Sequence, residues 1–317
     1  MEKIAMTLGL ADGGSLELTG PFSALLTRTL ESPAQSLEAV FPLERGTAPS
    51  PAVTVTLSRG SRRIFAGWCD QQTAREDGDG RTLEIQARSR GGLLLDNEAL
   101  PQTYYNVSTR DIFREHLVPY GFSPSALEIP RDYTAGVFTV AKGMSHWEVF
   151  YAFCVRMYAL SPRVTTGERV VVAELPAAPA ARITNRPGRE GLRYLSAEDT
   201  VRRASVISEI ILRDKKGNYS RSLGNPWGNP WRVVRRRYVI PGAEYATVPT
   251  ADAWERFRQA QHGARTAEAL LPGWAELSPG DRVTLETGLG PAKDMTVWQS
   301  RWEWSDRGEY TRLTLAE

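Results

Sequence analysis

Residues 52–90 read AVTVTLSRGSRRIFAGWCDQQTAREDGDGRTLEIQARSR, and their apolar members alternate: Val53, Val55 and Leu57, then Ile64, and later Leu83, Ile85 and Ala87. Successive side chains on a strand point to opposite faces, so this period of two puts one apolar face against a core and leaves the other wet. Turn residues punctuate the pattern at Arg59-Gly60-Ser61 and at Asp77-Gly78-Asp79-Gly80. The stretch predicts three antiparallel strands joined by hairpins. Upstream, FSALLTRTLESPAQSLEAVFPLE (22–44) supplies two more strands broken around Ser32-Pro33. Residues 1–98 are expected to form a sandwich or open barrel of about six strands.

The pattern then changes. Ser108-Thr109-Arg110-Asp111 before IFREHLVPYGF offers a hydroxyl cap, a short amphipathic helix and a proline stop. Ser145 caps a second helix, HWEVFYAFCVRMYAL, in which Val149, Phe150, Phe153, Cys154 and Met157 share a face, and PRVTTGERVVVAEL follows as a hairpin around Thr166-Gly167. Residues 99–175 read as a small α/β module. From 176 to 317 strands return in SVISEIILRD, WRVVRRRYVI, DRVTLETG, MTVWQSRWEWSD and YTRLTLAE. One helix is expected at about 250–271, where Trp254, Phe257, Ala260 and Ala264 recur at near-helical spacing and Gly263 weakens the middle. The class is mainly β with an α/β insert, and the second half repeats the β architecture of the first.

A chain of 317 residues, 41% hydrophobic and 24% charged, can fill more than one core. Its start, MEKIAMTLGLADGG, lacks the long apolar segment of a secretory signal, and no run of about 18 apolar residues is present, so cytoplasmic synthesis without stable membrane insertion is expected. The formal charge of +2 favours neither nucleic acid nor an anionic membrane. Two cysteines, Cys69 and Cys154, without CxxC spacing, read as buried small hydrophobes.

Catalytic signals are sparse. His116, His146 and His262 fall in no metal-ligand spacing and read as packing or surface residues, and Glu115 and Glu148 are the candidate carboxylate pair, each on a helix that also carries aromatics. Gly91-Gly92, Gly288 and Gly290 lack the lysine and the strand-to-helix setting of a phosphate loop. In the basic run Arg232, Arg235, Arg236, Arg237, strand alternation sends Arg235 and Arg237 to one face and Arg236 to the other. That divides the patch, which argues for a solvated strand or for salt bridges across a subunit boundary over specific nucleic-acid binding. No catalytic, cofactor or metal residue is assigned, and no cofactor is expected.

Residues 224–231 read GNPWGNPW. Each proline removes a backbone donor and extends the residue before it, so the repeat is a loop. Its two indoles, Trp227 and Trp231, either fold back on the protein or meet a partner.

Two longer stretches carry a family likeness. LSPGDRVTLETGLGPAKDMTVWQSRWEWSDRGEYTRLTLAE (277–317) resembles the closing hairpin of baseplate hub proteins of contractile-tailed phages and related injection systems, the late-control-D-like family. FAGWCDQQTAREDGDGRTLEIQARSRGGLLLDNEA (65–99) is similar to that family's first-domain hairpin. The matching residues are Gly67, Gly80, Arg88, Ser89, Leu94, Asp96, Pro279, Gly280, Asp281, Trp304, Gly308, Thr311 and Leu313. The resemblance implies two tail-tube-like β-domains per chain, so that a homotrimer forms a pseudo-sixfold ring adapting the sixfold tail tube to the threefold central spike. It implies as partners the tail tube and spike proteins, with the tape-measure protein and baseplate wedge as further neighbours, and a baseplate location in a virion or tail-like particle. Ring closure would make Trp227 and Trp231 anchors into a neighbouring subunit or the spike. The rival readings are a tail-borne peptidoglycan hydrolase using Glu115 or Glu148, and a carbohydrate- or receptor-binding module stacking sugars on the two indoles.

Overall fold

In the computed structural model, residues 2–47, 49–78, 80–229, 232–245 and 248–317 are described. Seven strands come first: β1 (Ile4–Leu10), β2 (Ser15–Thr19), β3 (Ser23–Thr29), β4 (Ser36–Pro42), β5 (Ala52–Arg59), β6 (Arg62–Asp77) and β7 (Gly80–Arg88). They pair antiparallel in the order β3-β4-β7-β6-β5-β1-β2. The β5–β7 meander and the β3–β4 hairpin are where the alternation predicts them. The count exceeds the expected six because residues 4–19 form a further hairpin, with Leu8 opposite Leu16. Met6, Leu8, Leu26, Leu37, Phe41, Leu57, Leu83 and Ile85 are buried in one cluster that contains no helical residue. A sheet that buries a face against itself must curl, which fits the open-barrel expectation. Gly67 is required there, since a Cβ at that position would lie 2.1 Å from the Arg88 carbonyl oxygen.

Helix α1 (Gly91–Asp96) leads into the middle module. Arg88 ties this passage together, its guanidinium donating to both carboxylate oxygens of Asp70 (2.7 and 3.0 Å) and of Asp96 (2.9 and 2.7 Å). The module contains β8 (Gln102–Ser108), α2 (Thr109–His116), β9 (Leu127–Glu128), β10 (Thr134–Val140), α3 (His146–Tyr158), β11 (Arg163–Val164) and β12 (Val170–Val171). Both helices open on the expected serines, each in a capping box: Ser108 with Asp111, and Ser145 with Glu148. Their apolar faces meet in an edge-on ring pair, Phe113 with Phe150 at 5.8 Å, and Phe138 of β10 packs edge-on against Phe153 of α3 at 5.0 Å. Cys154 is buried as expected, whereas Cys69 is only half-buried, and both thiols are free.

The remaining elements are β13 (Ala181–Thr184), β14 (Ser196–Val201), β15 (Glu209–Arg213), β16 (Tyr219–Gly224), β17 (Arg236–Val239), α4 (Pro249–His262), β18 (Arg265–Pro272), β19 (Arg282–Glu286), β20 (Lys293–Ser305) and β21 (Gly308–Ala316). The helix expected at about 250–271 is a correction: α4 stops at His262, Gly263 caps it, and the next eight-residue element is a strand. Ala267, Ala269 and Leu271 are buried while Glu268 is exposed, so period-two burial overrides the helix propensity of Ala, Glu and Leu. A second core gathers Val283, Met295, Val297, Leu313 and Leu315.

The two halves are joined by backbone. β20 pairs antiparallel with β3, from Gln299 opposite Thr29 to Ser305 opposite Ser23. Among the described residues, one 13-stranded sheet therefore runs from β14 to β2 over two separate apolar cores.

Candidate interaction site

β14 and β18 are hydrogen-bonded neighbours, with Val201 opposite Arg265. The chain between them is an excursion from the main sheet, and it carries the GNPWGNPW loop and the arginine run. A small sheet of order β16-β15-β17 packs on α4 through Ile210, Leu212, Val239, Ala253 and Phe257. Its other face is open: Tyr219 and Tyr238 meet edge-on at 5.3 Å and remain 44% and 59% exposed. The strand expected in WRVVRRRYVI is confined to Arg236–Val239.

Arg235 precedes that strand and works through its backbone. Its N–H donates to Ser208 Oγ at 2.9 Å and its carbonyl accepts from the Ser208 N–H at 2.9 Å. Arg236 stands opposite Glu209 and pairs with it at 2.6 Å. Arg237, on the other face of the strand, is exposed and donates to the Arg236 carbonyl at 3.4 Å. The opposite facing of Arg236 and Arg237 is as alternation predicts, while Arg235 lies outside the strand.

Asparagine explains the doubled NPW. Asn225 Oδ1 accepts from the Trp227 N–H at 2.9 Å, and Asn229 Oδ1 accepts from the Val233 N–H at 2.7 Å. The first copy thus begins with an Asn whose side chain closes a turn, and the Asn of the second bonds to the backbone beyond it. Trp231 lies outside the described residues. Trp227 is 49% exposed at the edge of a cleft of about 610 Å³, which also takes in Leu30, Glu31, Tyr151, Glu255 and Trp298.

This cleft brings together residues distant in the chain. Glu255, buried on α4, pairs with Arg258 at 2.9 Å, accepts from Gln259 at 3.1 Å and accepts the Tyr151 hydroxyl. Burial pushes the Tyr151 hydroxyl up, and the Glu255 charge adds to the effect. Glu31 is also raised, first by desolvation and then by Glu255. Sequence reasoning missed this cluster because its members come from α3, α4, β20 and the segment after β3, and no local spacing records their meeting.

The residues of the rival catalytic reading serve local structure. Glu148 accepts the Ser145 N–H at 2.7 Å in its capping box. Glu115 accepts from the Tyr104 hydroxyl at 2.5 Å and from Gln102 at 3.0 Å. Since that hydroxyl proton goes to Glu115, the Tyr104 oxygen accepts from His116 Nε2–H at 3.0 Å. His116 Nδ1 is then an acceptor, and His146 Nδ1–H donates to it at 3.0 Å. Burial, reinforced by His146, lowers the His116 pKa to about 4. Among the described residues no group of three or more His, Cys, Asp or Glu is placed to hold a metal ion, and no helix is long and apolar enough to cross a membrane.

No protein-family model matches the sequence, and no curated protein matches it. Solved structures do match in fold. A 43 kDa tail protein of prophage MuSo2 from Shewanella oneidensis superposes with a TM-score of 0.80 at 14% identity, covering 100% of this chain and 98% of the other. A tail protein from Neisseria meningitidis gives 0.77 at 16%, covering 99% and 96%. An E. coli component of the type VI secretion system, described as structurally similar to the T4 bacteriophage tail proteins gp27 and gp5, gives 0.56 at 10%, covering 93% and 73%. The chain has the β-rich fold of these tail proteins along its whole length.

Proposed function

We propose that this chain is a structural subunit of a phage tail or tail-like injection device, at the position of the baseplate hub. Three copies close a ring in which each chain contributes two β-lobes, so a threefold assembly presents six similar lobes. Such a ring adapts a sixfold tail tube on one side to a threefold central spike on the other, with the tape-measure protein and the baseplate wedge as further neighbours. The observation that carries this reading is the β20–β3 pairing, which holds two separately cored β-halves side by side in one continuous sheet. The full-length likeness in fold to tail proteins supports it. The role needs no cofactor and no catalytic chemistry, and its location is the baseplate of a virion or tail-like particle.

Ring closure by rotation requires that two different patches of one chain fit each other. Trp227, Trp231, Arg235 and Arg237 are the proposed contact residues of the excursion, the indoles serving as anchors. The test is the mass of the purified chain in solution over a dilution series, beside a Trp227→Ala, Trp231→Ala variant. A trimer at three times the 35.2 kDa chain mass is expected for the unaltered chain, and weaker association for the variant. A trimer unchanged in the variant would remove the loop from the subunit boundary.

A further inference from the structure

The small-sheet part of the excursion carries a charge opposite to that of the rest of the chain taken together. Residues 209–240 hold eight Arg and Lys against two acids, a net +6, which leaves 31 basic and 35 acidic residues elsewhere, a net −4. Both acids are engaged within the unit. Glu209 pairs with Arg236 at 2.6 Å, and Asp214 accepts the Lys216 and Asn218 N–H groups, each at 2.9 Å, and the Ser220 hydroxyl at 3.0 Å. Among the described residues no carboxylate pairs with Arg213, Lys215 or Arg221. These three exposed cations flank a cleft of about 600 Å³ whose apolar lining includes Leu212, Ile240 and Pro241.

A complementary feature lies on the terminal strand of the main sheet. Glu198 on β14 stands directly opposite Glu268 on β18, and both are exposed. Like charges directly opposite each other destabilise an antiparallel pair. No described cation relieves this one. Arg312, diagonal to Glu268 on β21, turns to Glu303 at 3.4 Å, and the Glu198 carboxylate receives only the Thr200 hydroxyl at 3.0 Å.

We infer that the cationic cleft of the small sheet receives the Glu198–Glu268 pair of a second copy of this chain. The inference rests on the ring reading above and names the contact that closes it. One chain carries both patches, on different elements and with opposite charge, as a head-to-tail contact repeated by rotation requires. The contact relieves the carboxylate repulsion and gives carboxylate partners to Lys215, Arg221 and Arg213, the last of which otherwise donates to the Gly217 carbonyl at 3.2 Å. A polyanion such as nucleic acid fits less well, because the rest of the chain is net negative.

The experiment is light scattering on the full chain at low and high salt, comparing Arg213→Glu/Arg221→Glu, Glu198→Arg/Glu268→Arg, and the chain carrying all four changes. All four positions are exposed, and a thermal melt checks that each variant folds. The unaltered trimer should weaken as salt rises, each two-residue variant should associate at least about tenfold more weakly, and the four-residue variant should recover to within roughly threefold. Recovery requires the two patches to touch each other, which loss alone does not establish. Two-residue variants that assemble normally, or a four-residue variant that recovers nothing, would overturn this contact and leave the ring standing. A chain that is monomeric even at low salt would remove both.

Discussion

The main sheet and the small sheet are built from the same kind of alternating strand, yet they stand in different positions energetically. The main sheet curls over two cores filled by side chains such as Phe41, Met6, Leu57, Met295 and Leu313, and its strands satisfy one another across both halves of the chain. The small sheet has three strands and a five-residue buried cluster that depends on α4, and it leaves Tyr219, Tyr238 and Ile240 exposed, with Val234 at 98% beside them. Three strands are close to the minimum for independent stability, and they reach it only with a packed face. The main sheet is therefore the scaffold, and the small sheet is an appendage whose open face and excess positive charge are suited to meeting something else.

The largest expected effect breaks the scaffold. Phe41→Ala deletes a fully buried ring in the first core and should cost about 3–5 kcal/mol. Denaturant unfolding followed by tryptophan fluorescence should show a lower midpoint for the whole chain. A loss below about 1 kcal/mol would mean that the sheet does not close on this core.

A comparable effect is expected from pH in the middle module. The His116 imidazole has a pKa of about 4 when folded against 6.5 for the free side chain, so the unfolded chain binds more protons between those values. Its contribution is fully present above about pH 6.5 and is lost as pH falls toward 4, by roughly 3 kcal/mol across the window. His146 is shifted the same way, first by burial, and adds to the slope. Lowered carboxylates such as Asp199 and Asp111 act lower, as pH falls below their ordinary 3.8. His116→Gln should flatten stability between pH 6.5 and 4, and an unchanged slope would contradict the neutral assignment.

The smallest global effect belongs to the appendage. Phe257→Ala should leave the main unfolding midpoint nearly unchanged while amide exchange accelerates across Glu209–Val239, because local opening there does not require the large sheet to open. A midpoint that falls as far as it does for Phe41→Ala would show that the two sheets unfold as one unit.

Much of this was legible locally. Ser108 and Ser145 cap their helices as expected, and the acid three residues after each completes a capping box. The Arg88 and Asp96 of the family-like stretch prove to be partners, and Gly67 sits where a Cβ would strike the neighbouring strand. The β20–β3 pairing was not legible, since nothing in the alternation of either strand specifies a partner more than 250 residues away. The Thr266–Leu271 segment misleads because Ala, Glu and Leu favour helix in isolation, and Gly263 was the stop signal beside it. The charge of residues 209–240 was present in the composition, but it becomes a cleft only when the β15–β16 hairpin sets Arg213, Lys215 and Arg221 around Ile240 and Pro241. At Trp227 the sequence indicated a turn, and the cleft beneath it depended on residues from α3, α4, β20 and the segment after β3.

The central claim is that two β-lobes per chain serve a threefold ring. Its most direct test is electron microscopy of the purified full-length chain, with class averages computed without imposed symmetry. A closed ring of three copies showing six similar lobes around an open centre is the predicted result. Single two-lobed particles at every concentration, or a closed ring of any other copy number, would contradict it.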